Sequence, residues 1–387
     1  MSVKKIKVLI APDSFKDCLP SNEVARFIGE GINEKFPGTE ITIFPVADGG
    51  EGTASCIDFH RGGVWRELIV HDPLHRPVTC RYLILPKEKT AVIELARASG
   101  LEMLTAAERN PLKTSTLGTG ELIKDALDSG LQKIILTIGG SATVDGGTGI
   151  AHALGFRFFD SNNRELIPCG ESNGKISRID TTAVHPGLAN AEIIIACDVQ
   201  NVLNGPEGAA RVYGPQKGAD KRAVQVLEEG LANLSALLLN DTGFDAGDHP
   251  GTGAAGGASL FLLAYGNGSL RPGFEIISEL TGFDKAVEKA DLVISGEGQI
   301  DRQTAYGKLI SSIASIAVKN KKPFVAVAGR IDGEKELLRR EMGAMELYSL
   351  REHAESDADS INNAPGYLKQ TGILIAEKII IDNLWNR

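Results

Sequence analysis

The chain has 387 residues, 42 % of them apolar, enough for two or three domains with buried cores. Its formal net charge of −9 excludes a basic nucleic-acid face, but not a phosphate held by backbone N–H groups. The five cysteines (Cys18, Cys56, Cys80, Cys169, Cys197) are odd in number and lack C-x-x-C spacing. That excludes a disulfide framework and a zinc site, and suits a cytoplasmic protein.

The apolar run Val8-Leu9-Ile10-Ala11 stops at Pro12, too early for a signal core, and reads as a buried strand over 5–11. The longest later apolar run, 258–265, is far below a membrane span, so no membrane partner is expected. The first strand opens into Ala11-Pro12-Asp13-Ser14-Phe15-Lys16, which packs a carboxylate, a hydroxyl and an ammonium into four residues. A helix follows from a Ser21 cap, with Val24, Phe27, Ile28 and Ile32 on one face. A second strand over 40–46 ends in Asp48-Gly49-Gly50-Glu51-Gly52, whose glycines permit close backbone approach.

The middle, 96–290, carries its own strands (133–138, 192–197), helices (221–239, 257–263) and most of the glycine-rich loops. Thr114-Ser115-Thr116-Leu117-Gly118-Thr119-Gly120-Glu121 precedes a helix. The strand 134–138 runs into Gly139-Gly140-Ser141-Ala142-Thr143-Val144-Asp145-Gly146-Gly147. Such strand-to-helix turns offer N–H groups to an anion. Asp198 ends the strand 192–197 and suits Mg²⁺ or a proton. The Gly/Pro-punctuated stretch 205–219, with Lys217 in it, reads as a long shaped loop.

The tail alternates strands over 291–295, 323–328 and 346–350 with helices over 307–320, 334–342 and 361–384. Strands alternating with helices predict an α/β fold with a parallel sheet. The loop Ser295-Gly296-Glu297-Gly298-Gln299-Ile300-Asp301-Arg302-Gln303-Thr304 and the pair Gly329-Arg330 fall at the same rim as Asp13 and Asp48. The expected domains are 1–95 with 291–387, and an inserted 96–290. Ligands would lie beyond the carboxyl ends of the strands, in a cleft that can close. The G-x-G-x-x-G at 251–256 follows no strand, so a dinucleotide fingerprint is not expected, and no Walker P-loop or G-x-S-x-G elbow occurs.

A-P-D-S-F-K at 11–16, A-D-G-G-E-G-T at 47–53, T-S-T-x-G-T-G-E-L-I at 114–123 and G-G-S-A-T-x-D-G-G at 139–147 together resemble the type I bacterial glycerate kinases. G-P-Q-K-G-A at 214–219, G-T-G-A-A-G-G at 251–257 and S-G-E-G-x-x-D-x-Q-T at 295–304 extend the resemblance over nearly the whole chain. Val144, Val202 and Cys18 depart from the pattern without removing a charged candidate. The resemblance implies a Rossmann-like domain built from both chain ends, with a second α/β domain inserted. It implies phosphorylation of D-glycerate by ATP with Mg²⁺, generally at the 2-hydroxyl.

On that basis the ATP phosphates are assigned to Gly118, Thr119, Gly120, Gly139, Gly140, Ser141, Thr143 and Lys217. Mg²⁺ is assigned to Asp198, with Asp145 as second candidate. Glycerate is assigned to Ser14, Glu297, Asp301 and Arg330. Lys16 would pair with its carboxylate or with the moving phosphoryl group. Asp13 or Asp48 would accept the proton, and the choice stays open. Other readings are a kinase for another small hydroxy acid, or a non-catalytic sugar-acid-binding protein. The 2- or 3-phosphate outcome and the oligomeric state, a homo-oligomer included, stay open too.

Overall fold

The computed structural model describes residues 5–15, 18–301, 309–378 and 380. Its strands, in chain order, are β1 (Lys7–Ile10), β2 (Glu40–Ile43), β3 (Val64–His71), β4 (Pro77–Leu85), β5 (Thr90–Glu94) and β6 (Lys133–Thr137). There follow β7 (Arg157–Phe159), β8 (Arg178–Asp180), β9 (Glu192–Ala196), β10 (Asn267–Arg271), β11 (Leu292–Ile300), β12 (Phe324–Ile331) and β13 (Glu346–Ser349). The chain divides into two compact units, residues 1–48 with 277–387, and residues 49–276.

The first unit holds a parallel sheet of order β13-β12-β11-β1-β2. Its inner strands β1, β11 and β12 contain buried apolar runs because both faces are covered, whereas the edge strand β2 has no buried residue. Val8, Ile10, Leu292, Ile294, Val325 and Val327 pack with Val24, Ile28 and Ile32 of the helix Ser21–Lys35 and with Leu368 of the helix Ala364–Ile375. Those two helices, from opposite ends of the chain, approach very closely. A Cβ on Gly31 would lie 1.9 Å from the Lys369 carbonyl oxygen. The strand order reverses at β1, and the loops after all five strands leave from one edge.

The second unit holds a mixed sheet of order β10-β9-β6-β5-β4-β3 and a small β7-β8 ribbon. Here the boundary expected after residue 95 moves. The antiparallel run β3-β4-β5 joins β6 through β5, so residues 49–95 belong to the second unit. Four smaller expectations also change. Ser21 donates its hydroxyl to the Pro12 carbonyl at 2.7 Å instead of capping its helix. β11 runs on to Ile300 and β12 to Ile331, so Glu297 and Arg330 stand in strands, in pairing registers with Ala328 and Gln299. The single helix expected over 361–384 is broken between Asp357–Asn362 and Ala364–Ile375, where Pro365 lacks an N–H and can only open a helix. The helix expected over 257–263 shrinks to Leu260–Ala264 after the tight turn Ala254–Gly256. By contrast, the helix Lys221–Thr242 is properly ended, by an Asp220 side chain accepting from the Ala223 N–H and by Gly243 at φ 77°.

Candidate active site

In the first unit the carboxyl ends of the strands enclose a cavity of about 690 Å³. Asp13, Ser14, Phe15 and Cys18 reach it from the loop after β1, and Asp48 from the loop after β2. Glu297, Gly298 and Gln299 reach it from the end of β11, with Asp301 just beyond, and Gly329 and Arg330 from β12. Six of the expected site residues, Asp13, Ser14, Asp48, Glu297, Asp301 and Arg330, therefore meet there, although up to 317 positions separate them along the chain (330 − 13). β1 and β11 are adjacent, and the Asp13 amide donates to the Gly296 carbonyl at 2.8 Å, which holds the two loops together. The Asp13 carboxylate is oriented in turn by the Ser14 N–H at 2.7 Å. Lys16, Arg302, Gln303 and Thr304 lie outside the described residues.

The second unit supplies the glycine-rich loops. Gly139 and Gly140 are exposed at the end of β6, and Gly140 sits at φ 74°, a conformation that favours glycine. The Gly140 carbonyl accepts from Leu101 at 2.8 Å, and Ala142 donates to Ser99 at 2.9 Å. Among the described residues no acceptor pairs with the Gly139, Gly140 or Ser141 N–H. A turn whose successive amides have no acceptor within the chain is suited to hold an anion. Asp198, exposed after β9, accepts from the Gly273 N–H at 2.9 Å.

Other expected residues are placed differently. Gly118, Thr119 and Gly120 are buried in the first turns of the helix Leu117–Asp128. A Cβ on Gly118 would lie 1.8 Å from the His71 carbonyl oxygen, and one on Gly120 2.6 Å from Ile150 Cα. Thr119 shares a 2.7 Å hydrogen bond with Ser99. The absence of a side chain on Gly118 and Gly120 therefore serves helix packing.

Asp145 is fully buried. Its Oδ2 accepts from the Thr116 N–H and Oγ1 at 2.8 Å each and from Gly149 N–H at 3.2 Å, while Oδ1 accepts from Gly147 N–H at 3.2 Å. Burial pushes this carboxyl up from its ordinary range, against the pull of the Thr116, Gly149 and Gly147 donors. Both oxygens are engaged, so Asp145 ties two loops together and does not fit a metal. Asp198 does fit: Mg²⁺ is commonly held by one or two carboxylates together with phosphate oxygens. Among the described residues no group of three or more His, Cys, Asp or Glu could hold a metal. Lys217 is buried, and its Nζ donates to Ser141 Oγ at 2.6 Å and to the Thr143 carbonyl at 2.7 Å.

Comparison with known proteins then decides the family. Residues 8–380 match the model of the glycerate kinase family. The chain is 40 % identical to a glycerate kinase of Bacillus subtilis (strain 168) over 97 % of this chain and 98 % of that one. It is 41 % identical to a glycerate 2-kinase of Escherichia coli (strain K12) over 84 % of this chain and 86 % of that one. The chain belongs to the glycerate kinase family. It is accordingly a kinase, and its fold is that of a crystal structure of a candidate glycerate kinase 2 from Salmonella typhimurium LT2. That structure matches at a TM-score of 0.84, with 37 % identity, over 98 % of this chain and 99 % of that one.

In this glycerate kinase family member the cavity also contains residues that no motif marked. Arg351, Asp357, Ser360 and Ile361 line it from the segment after β13. Asp357 accepts from Arg351 Nε at 2.8 Å and lies 3.8 Å from Arg330 Nη1, so one carboxylate holds two guanidinium groups at the cavity wall. A pair of arginines suits a carboxylate or phosphate ligand. The signal available in the sequence was only the strand-then-polar-turn pattern at 346–357, which every strand of this sheet shares.

Proposed function

We propose that the protein transfers the γ-phosphoryl group of ATP to D-glycerate, forming 2-phosphoglycerate, with Mg²⁺. The observation that carries this reading is the first-unit cavity, where carboxylates and arginines from five strand ends meet in a chain of this family. Arg330, with Arg351 beside it, would hold the glycerate carboxylate. Asp13, oriented by the Ser14 N–H, is the better-placed group to accept the hydroxyl proton, with Asp48 the alternative. Lys16 keeps its expected role on the substrate carboxylate or the moving phosphoryl group. The Gly139–Gly140–Ser141 amides would hold phosphate oxygens, and Asp198 the metal. Mg²⁺, when bound, neutralises phosphate charge. These residues need only orient the reactants, because phosphoryl transfer depends mainly on positioning and electrostatics.

One observation favours a broader acceptor. The cavity's volume lies in the range of sites that hold ligands much larger than a three-carbon acid. Erythronate, with four carbons, therefore belongs in the same test, and tartronate serves there as a three-carbon comparison. The purified protein is incubated with ATP, Mg²⁺ and each acid, and ADP release is followed. ADP release driven by D-glycerate supports the proposal; release driven only by another acid moves the substrate; none with any acid rejects it. The odd count of five cysteines agrees with a reducing, cytoplasmic setting, and among the described residues no helix is long and apolar enough to cross a membrane.

A further inference from the structure

A lysine that is 3 % exposed needs a reason, because burying its charge is costly and such lysines are rare. Lys217 lies in the 3₁₀ turn Pro215–Lys217, which is closed on both sides. Its own amide donates to the Gly214 carbonyl at 3.0 Å. The next residue, Gly218, at φ 96°, packs so closely that a Cβ would sit 2.2 Å from the Arg109 carbonyl oxygen. The backbone thus has one place to be, and the side chain runs inward from it. Its Nζ ends at residues 141 and 143, more than 70 positions away along the chain.

We propose that Lys217 is a positioning residue that holds the 139–143 turn from inside and leaves the Ser141 hydroxyl proton to be donated to a phosphate oxygen. This rests on the reading of that turn as the phosphate cradle, and it replaces the direct phosphate contact expected of Lys217. The Thr143 carbonyl can only accept, so Nζ is the donor there. In its ammonium form Lys217 has no lone pair, so Ser141 Oγ then also accepts from it, at 2.6 Å. The Ser141 hydrogen is then left for another acceptor, and the two residues before it, Gly139 and Gly140, are exposed. The charged group facing Lys217 is Asp145, whose carboxylate favours the ammonium, while burial pulls the lysine down to about 7. An anion arriving at the turn would add to the pull of Asp145 and favour the ammonium further.

The test uses the full chain carrying Lys217→Met, with steady-state kinetics in ATP and in D-glycerate and hydrogen exchange of the peptide covering 139–145. The Ala142 amide, bonded to Ser99, reports the turn from within that peptide. The expected result is faster exchange there, KM for ATP raised about tenfold or more, as losing hydrogen bonds to a charged group implies, and KM for D-glycerate within about twofold. Lys217→Arg is not expected to rescue, since the guanidinium is too large for the enclosed slot. Unchanged exchange at 139–145 overturns the proposal whatever happens to KM. A raised KM for ATP that arginine rescues, with unchanged exchange, means a direct ionic contact instead. Faster exchange with unchanged KM for ATP overturns the phosphate role of the turn, and the proposal with it. If Lys217→Met does not fold, Ser141→Ala keeps the lysine and its Thr143 bond and removes the hydroxyl alone. KM for ATP should then rise about three- to tenfold, and no rise overturns the proposal.

Discussion

Replacing Asp145 by Asn separates two roles that look identical in the sequence, a metal ligand and a structural tie. Four donors converge on the Asp145 carboxylate, three on Oδ2 and one on Oδ1. Asparagine satisfies most of them with its carbonyl in the Oδ2 position, which turns the NH₂ toward the Gly147 N–H. One buried donor is then left facing another, at a cost of about 1–3 kcal/mol. The other three bonds lose their charge assistance, while removal of a buried charge returns part of that loss. The balance is a destabilisation of about 2 kcal/mol, or roughly 4–8 °C in Tm for a unit of this size. Thermal unfolding by circular dichroism measures it, alongside the Mg²⁺ dependence of turnover. The account expects a lower Tm and an unchanged apparent Mg²⁺ affinity. An unchanged Tm with weakened Mg²⁺ dependence would refute it and return Asp145 to the metal.

Gly140→Val should raise KM for ATP and leave KM for D-glycerate unchanged. The residue sits at φ 74°, where a β-branched side chain costs roughly 1–2 kcal/mol, and its Cβ would press on Ala96 at 3.3 Å; an equal change in both KM values would contradict the turn's assignment. Asp13→Asn should lower kcat by about two or more orders of magnitude at little cost in Tm, and near-parental kcat would pass the proton to Asp48. Lys217 makes a prediction about pH. Its folded-state value of about 7 lies below the ordinary 10.5, so the unfolded chain holds the extra proton between those limits and stability rises across that window. The Tm difference between parent and Lys217→Met should therefore shift in the parent's favour from pH 7 to pH 10. A flat difference in paired melting curves would show that the lysine is not perturbed by its burial.

What could be read from the sequence depended on how local its cause was. β1, β6 and β9 were legible because a strand covered on both faces is a continuous apolar run, as at Ile134-Ile135-Leu136. β3 was not, because it is the edge strand of its sheet and its exposed and buried positions follow no strict alternation. Missing β3 and β4 is what set the expected boundary at 95 and not at 48. β10, Asn-Gly-Ser-Leu-Arg, has almost no apolar signal and is a strand only because β9 pairs with it. In the candidate site, charged residues at strand ends were found because the topology of a parallel sheet brings them to one rim. Glycine was harder to read. Gly118 and Gly140 occur in equally glycine-rich stretches, yet one lacks a side chain because a backbone carbonyl occupies the space and the other because its φ is positive. Local sequence does not record which neighbour fills the place of a missing Cβ. The same gap hid the inward course of Lys217 and the Arg351–Asp357 pair, since both depend on residues distant in the chain.

The most direct measurement is the product itself. The protein is incubated with ATP, Mg²⁺ and D-glycerate, and the mixture is followed by ³¹P and ¹H NMR, with an EDTA control. The account predicts a phosphate ester coupled to the proton on C2 of glycerate, formed in step with ADP and absent in EDTA. ATP left intact beside glycerate, or an ester formed equally well in excess EDTA, would contradict it.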